Sequence, residues 1–347
     1  MALSQVGLER LNTATTKKIG TNKNIIINGA MLVAQRSTDI TTGNAGVHCV
    51  DRIDGESTNA DEAPRRQQVD VSSTSTPYTL GFRKAFKLTN GNQTSGAGVD
   101  DIMNIRYNIE SQDISQSGWN YKSASSFVTL QFWIKSSVSQ NFNMYLRTRD
   151  GTNQTYAFDT GTLSADTWTK ITKTIPGNSN IQLDNDNGQG LQLNFGPFWG
   201  TNRTDNSVNN EECKTYASAS RMKDNATLEM TGVQLEVGSV ATDFEHRSFA
   251  QELALCQRYY QVVRASLRND YRTDLVATFG NGTQLYCEMR ATPTATTVTS
   301  VATQDCNNVG YGYLSNKGFM IVGTGIVTTG GQAAQQAVRD VGLAAEL

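Results

Sequence analysis

The stretch Met230–Tyr260 reads MTGVQLEVGSVATDFEHRSFAQELALCQRYY. Its first half alternates as a strand does: Val233, Leu235 and Val237 share one face, Gln234 and Glu236 the other. Its second half changes to helical spacing through Phe249, Leu253, Leu255 and the pair Tyr259 and Tyr260. A period of two giving way to one near 3.6 marks a junction between folded units. The strand half is expected to close a first domain near Arg247. One short helix cannot bury its own apolar stripe, so Leu253, Leu255, Tyr259 and Tyr260 are expected to pack between two β domains and between subunits.

Upstream, strand-like segments follow one another with turn residues between them. NIIINGAMLVAQR reads as two strands about a turn at Asn28-Gly29, and residues 54–77 read as a polar loop. SSFVTLQFWIKSS is the most strand-like run. NFNMYLRTRDG and QTYAFDTG make a hairpin with Asp150-Gly151 at its tip. Eight or more short strands, few helices and regular turn signals indicate an all-β protein with an antiparallel jelly-roll sandwich. The expected organisation is a short attachment helix over 1–23, with Leu3, Val6, Leu8 and Leu11 as its apolar positions. The sandwich follows over 24–247, a connecting helix over 248–262 and a smaller β domain over 263–347. The tail is read as a strand over 337–347.

Composition narrows the function. The chain has 347 residues, 37% hydrophobic and 18% charged, with a formal net charge of -2. That charge gives no electrostatic footprint for nucleic acid. Apolar runs such as Ile25–Ile27 are too short to span a bilayer, and the N-terminus lacks the pattern of a cleavable secretory signal. Cys49, Cys213, Cys256, Cys287 and Cys306 are odd in number and widely spaced, which favours free thiols over a disulfide framework or a zinc site.

No nucleophile, zincin, P-loop or dinucleotide motif is present, and neither His48 nor His246 has a local nucleophile beside it, so no enzymatic activity is expected. His246 is expected to make structural bonds between the domains. LDNDNGQG places Asp184 and Asp186 before Gly188, a spacing compatible with a structural calcium or with a simple Asx-rich turn. Asp51, Asp54 and Glu236 are further acids in regions where a calcium could sit. Flat aromatic rings stack on sugars. Trp119 with Tyr121, and Phe198 with Trp199, lie in polar, glycine-rich surroundings and are the candidate glycan platforms; the alternative for each is a sealing rim or a subunit contact. Trp133 is expected in the core, and Trp168 in DTWTKIT is out of phase with Ile171.

NKNIIINGAMLVAQRS, VDRI, LQFWIKSS, TWTKITKTIPG, GLQLNF and above all GVQLEVGSVATDFEHRSFAQELALCQRYYQ carry a resemblance. Together they resemble the carbohydrate-binding-module-like jelly rolls of tail-fibre and virion-surface proteins of tailed bacteriophages, of the marine, cyanophage type. The resemblance implies a homotrimeric virion component, assembled in the host cytoplasm, that joins other virion proteins through its N-terminal segment and meets a host-cell glycan. The alternatives are a purely structural tail adaptor or capsid decoration without glycan binding, and a glycan depolymerase. The chain departs from the pattern in lacking a long repetitive shaft.

Overall fold

The computed structural model describes residues 23–43, 46, 48–92, 98–203, 225–269, 278–304, 306–325 and 335–347. The helix expected over 1–23 and Cys213 therefore lie outside the described residues, apart from Lys23.

Two antiparallel sheets form the first unit. One holds β1 (Asp39–Ile40), β3 (Arg65–Asp70), β4 (Lys84–Thr89), β11 (Thr227–Val237), β6 (Phe127–Ser136) and β9 (Thr169–Pro176), in that order. The other holds β2 (Asp54–Thr58), β5 (Ile102–Glu110), β10 (Gln189–Trp199), β7 (Asn141–Thr148) and β8 (Thr155–Thr162). From β4 to β7 the chain crosses between sheets at each step, and it does so again from β8 to β11, giving the double-layered weave of a jelly roll. Short helices α1 (Thr76–Thr79) and α2 (Ser111–Ser115) sit in the connections.

The pleat explains the core. Val128, Leu130, Phe132 and Ile134 of β6 face Leu191, Leu193 and Phe195 of β10, and the rings of Phe132 and Phe195 meet edge to face at 5.0 Å. On β11, Val233 and Leu235 are buried in the same core, as their alternation predicted. A bulge between Thr231 and Gln234 is built on Gly232, at φ +65°. The β7–β8 hairpin also forms, with Gly151 left-handed at φ +61°.

Several expectations fail. Residues 24–35 form no strand. The Asn28 amide instead bonds the backbone of Val33 and Asp51, and Asn28 itself adopts φ +60°, so a side chain competes successfully with ladder pairing. Residues 54–77 are not one loop: they contain β2, β3 and the start of α1. Trp133 is not in the core between the two sheets but packs against a smaller apolar cluster that includes Phe82 and Ala85. It alternates with Phe132 and Ile134 and pairs with Lys170, which puts it on the outer face of the six-stranded sheet.

The helix of the junction, α3 (Phe249–Gln257), is shorter than expected, and Tyr260 already opens a strand. Its start is a capping box: Ser248 Oγ accepts from Gln251 N while the Gln251 side chain accepts from Ser248 N. Strands β12 (Tyr260–Asn269), β17 (Gln335–Ala344) and β14 (Thr294–Gln304) form one three-stranded sheet. Strands β13 (Thr278–Gln284), β16 (Gly318–Gly325) and β15 (Cys306–Gly312) form a second. These two sheets share a separate core that includes Val263, Leu267, Phe319, Ile321, Val341 and Leu343. The tail read as a strand over 337–347 is one, running from Gln335 to Ala344.

Candidate functional site

Trp119 follows α2 and is buried, its Nε1–H donating to the Ser126 carbonyl at 3.3 Å. It is one wall of a cleft of about 330 Å³ that opens between the free edges of the two sheets, β8 and β9. Leu146, Ile175, Ile181 and Leu191 give the cleft an apolar lining that reaches the sandwich core. Tyr156 stands at the mouth, 39% exposed, its hydroxyl 3.5 Å from the Thr174 carbonyl of the opposite edge. The polar part of the lining includes Thr148, Thr155, Ser179 and an amide pair: Asn178 Nδ2 donates to Gln154 Oε1 at 3.0 Å, and Gln154 donates to the Thr152 and Asn153 carbonyls. The site is thus an apolar slot with amide and hydroxyl groups at its rim, the composition of small-molecule pockets in general.

The other candidates fall elsewhere. Tyr121 stays near Trp119, with ring centroids 6.3 Å apart, but is not part of the cleft lining. Phe198 and Trp199 are both buried, which overturns the expectation of an exposed platform. They also part company. Phe198 pairs with the core-facing Met103, whereas Trp199 lies on the outer face, stacked on Tyr145 at 5.8 Å and donating to Asn104 Oδ1 at 2.5 Å. Trp199 stands eight residues from Leu191 along β10, about 26 Å at ~3.3 Å per residue. The two aromatic pairs therefore cannot serve one site.

Asp184 and Asp186 are exposed turn residues. Asp186 Oδ1 accepts from Gly188 N at 2.8 Å, the Asx-turn alternative. Among the described residues no three His, Cys, Asp or Glu side chains converge as a metal site needs. Asp51 accepts from Gln35, Asp54 from Arg106 and Glu236 from Thr242, so these acids are engaged as structural acceptors.

Tyr259 and Tyr260 are buried at the junction, but Leu253 is half-buried and Leu255 is 37% exposed. The inward residues of α3 are Glu252 and Cys256. Glu252 is drawn in because its carboxylate accepts from the backbone of Asn28 and pairs with Arg247 at 3.0 Å. His246 does not bridge domains: its ring bonds the Leu80 carbonyl at 2.9 Å and packs on Phe82 and Phe244, all within the first unit. His48 does lie where the units meet. Burial pushes its imidazole below the usual value, with the nearby Glu346 carboxylate opposing.

Residue-level reading of the chain missed Tyr156, Gln154 and Asn178. Tyr156 was visible as an aromatic in the second strand of a recognised hairpin. Nothing in the linear order brings Asn178, after β9, to Gln154, before β8.

No protein-family model and no curated protein matches the chain. Solved structures similar to it include the enzymatically active domain of tailspike protein 4 from bacteriophage CBA120. That match has 10% identity and a TM-score of 0.33, over 62% of this chain and 22% of the other. The N-terminal cellulose-binding domain of Cellulomonas fimi β-1,4-glucanase C is similar at 9% identity and TM-score 0.29, over 60% and 99%. TmCBM61, solved with β-1,4-galactotriose, is similar at 8% identity and TM-score 0.28, over 63% and 100%. The chain spans about a fifth of the tailspike chain. The fold described above rests on strand order and register, not on these similarities.

Proposed function

We propose that this protein is a non-enzymatic virion-surface component, part of a tail fibre, tip or appendage, that holds a host-cell glycan during adsorption. The observation that carries the glycan part is the Trp119 cleft. An aromatic ring at the mouth, an apolar floor and rim amides suit a sugar whose ring stacks at Tyr156 while an apolar substituent enters the slot toward the buried Trp119. An N-acetyl or a 6-deoxy group has the right chemistry: each presents one methyl, worth about 0.8 kcal/mol when buried, on a body that still needs hydrogen-bond partners. The virion placement and the trimer rest on the sequence resemblance.

The test is a glycan-array screen of the intact chain, followed by titration of the best ligand against the Tyr156→Ala variant. Tyr156 is exposed, so its removal leaves the fold in place. Selective retention of N-acetylated or 6-deoxy glycans, weakened about ten-fold or more by Tyr156→Ala, supports the reading. Equal binding by the variant sinks it, and release of oligosaccharides from a bound polysaccharide would make the protein a depolymerase instead.

A further inference from the structure

The segment from Gly238 to Arg247 runs as a strap across the outer face of the six-stranded sheet. Thr129 Oγ1 donates to the Gly238 carbonyl at 2.7 Å, Gln131 Nε2 to the Thr242 carbonyl, and Glu245 N to Gln234 Oε1 at 2.8 Å. Glu236 holds Thr242 twice, through its backbone N–H at 2.7 Å and its hydroxyl at 2.6 Å. Beside this strap lies a second cavity, of about 370 Å³, on the face of the sandwich opposite its core.

Its walls are closely packed. Phe82 sits over the Gly232 bulge, where an added Cβ would come within 2.7 Å of its ring. Phe244 packs edge to face on Phe82 at 4.9 Å and on His246 at 4.9 Å. Trp133 supplies a half-buried indole from β6. Against this aromatic surface stand polar groups that the fold leaves unused. Gln131 is buried, and only its Nε2 bonds within the described residues, leaving Oε1 as an acceptor. His246 Nε2 faces a carbonyl, which only accepts, so in the neutral ring Nε2 carries the proton and Nδ1 is left with a free lone pair. Asp243 and Lys170, both exposed, form no ion pair among the described residues, either with each other or with a third group.

We infer that this cavity is a second saccharide site, distinct from the Trp119 cleft. An aromatic wall matched to three acceptors and one ammonium donor suits a polyhydroxylated ring. The ring's C–H face lies on Trp133, its hydroxyls donate to Gln131, Asp243 and His246, and one hydroxyl oxygen accepts from Lys170. The balance of one acid and one base at the rim fits a neutral sugar, since an anionic sugar would face Asp243 and a cationic one Lys170. Two saccharide sites, one at the open β8–β9 edge and one on the outer face of the six-stranded sheet, would let one chain hold two points of a polysaccharide, or two chains of a glycan coat, and gain by effective concentration.

The site is tested on the full chain by NMR titration with the methyl glycosides of glucose, galactose, mannose and N-acetylglucosamine, read at the indole and side-chain amide signals. At least one glycoside is expected to move the Trp133 and Gln131 signals saturably. Asp243→Asn and Lys170→Met, both at exposed positions, should weaken that response roughly ten-fold, about 1.4 kcal/mol, while leaving the Trp119 signals as they were. Movement confined to Trp119 overturns this site but not the first. Unchanged affinity in both variants, or no saturable shift at Trp133 up to about 100 mM sugar, a limit far weaker than the ~1 mM that corresponds to -4.1 kcal/mol, overturns it as well.

Discussion

Arg52 and Glu346, 294 positions apart in the chain, form a 2.7 Å ion pair at the seam between the two β units. The Arg52 guanidinium lies 3.5 Å from the centroid of the Tyr259 ring and 5.3 Å from that of Tyr107, and it also donates to the Asn108 carbonyl. Glu346 takes a second cation, Arg36, at 2.8 Å, and Arg36 stacks on Tyr260 at 3.8 Å. The C-terminal residues thus bolt the second unit to the first through the tyrosine pair of the junction. A buried pair broken on one side leaves an uncompensated charge, costing about 3–5 kcal/mol. Glu346→Ala should therefore loosen the seam and split the calorimetric unfolding into two transitions, where the parent protein shows closer coupling.

The same seam sets an acid limit. Burial alone would raise the Glu346 carboxyl, but His48, Arg52 and Arg36 overcome this and hold it at about 2, against 4.5 for the free group. Because His48 is itself kept neutral by burial, the two arginines carry the effect near neutral pH. For a lowered carboxyl the stabilisation is complete above about 4.5 and disappears as pH falls toward 2. A histidine lowered by burial acts in the same direction, its contribution eroding below 6.5. Melting temperature should drop on acidification through both ranges. Glu346→Gln should flatten the lower range and His48→Gln the upper. A profile unaltered by either substitution would remove the seam as the acid-sensitive element.

Gly232 is required by both backbone and space. It sits at φ +65°, and an added Cβ would meet Phe82 at 2.7 Å. Gly232→Ala should cost about 1–3 kcal/mol from backbone strain and overpacking, measured by urea unfolding. The same substitution displaces Phe82 and should disturb the strap-side cavity while sparing the Trp119 cleft.

Trp199 behaves here as a structural residue. Trp199→Phe keeps the stack on Tyr145 but leaves Asn104 Oδ1 without the indole donor, a loss of about 1–3 kcal/mol for a buried acceptor. Stability should fall by that amount, with glycan affinity at the Trp119 cleft unchanged.

How much was legible depended on whether a segment's neighbours were needed to interpret it. β6 and the β7–β8 hairpin were readable because clean alternation and Asp150-Gly151 are local signals. β2 and β3 were missed because DGEST and RRQQVD carry almost no apolar residue; their partners, not their composition, make them strands. Trp133 was misplaced because Phe132, Trp133 and Ile134 form an unbroken apolar run, although Phe132 and Ile134 already occupy the inward phase. The leucines of α3 were expected inward because hydrophobicity ranks them above glutamate. Glu252 displaces them through bonds to Arg247 and Asn28, groups no helical wheel contains.

By itself the sequence determined the class of this protein: all-β, turn-rich, without a nucleic-acid-binding charge, and changing architecture between Val237 and Phe249. Those are consequences of backbone period and composition, which each segment carries alone. Tertiary structure decided which side chains could work together. It buried Trp199, set Trp119 in a cleft with Tyr156 and Asn178, and turned Trp133 outward beside Lys170 and Asp243. Such groupings arise from sheet order and strand register, which join residues far apart in the chain, and no local pattern specifies them.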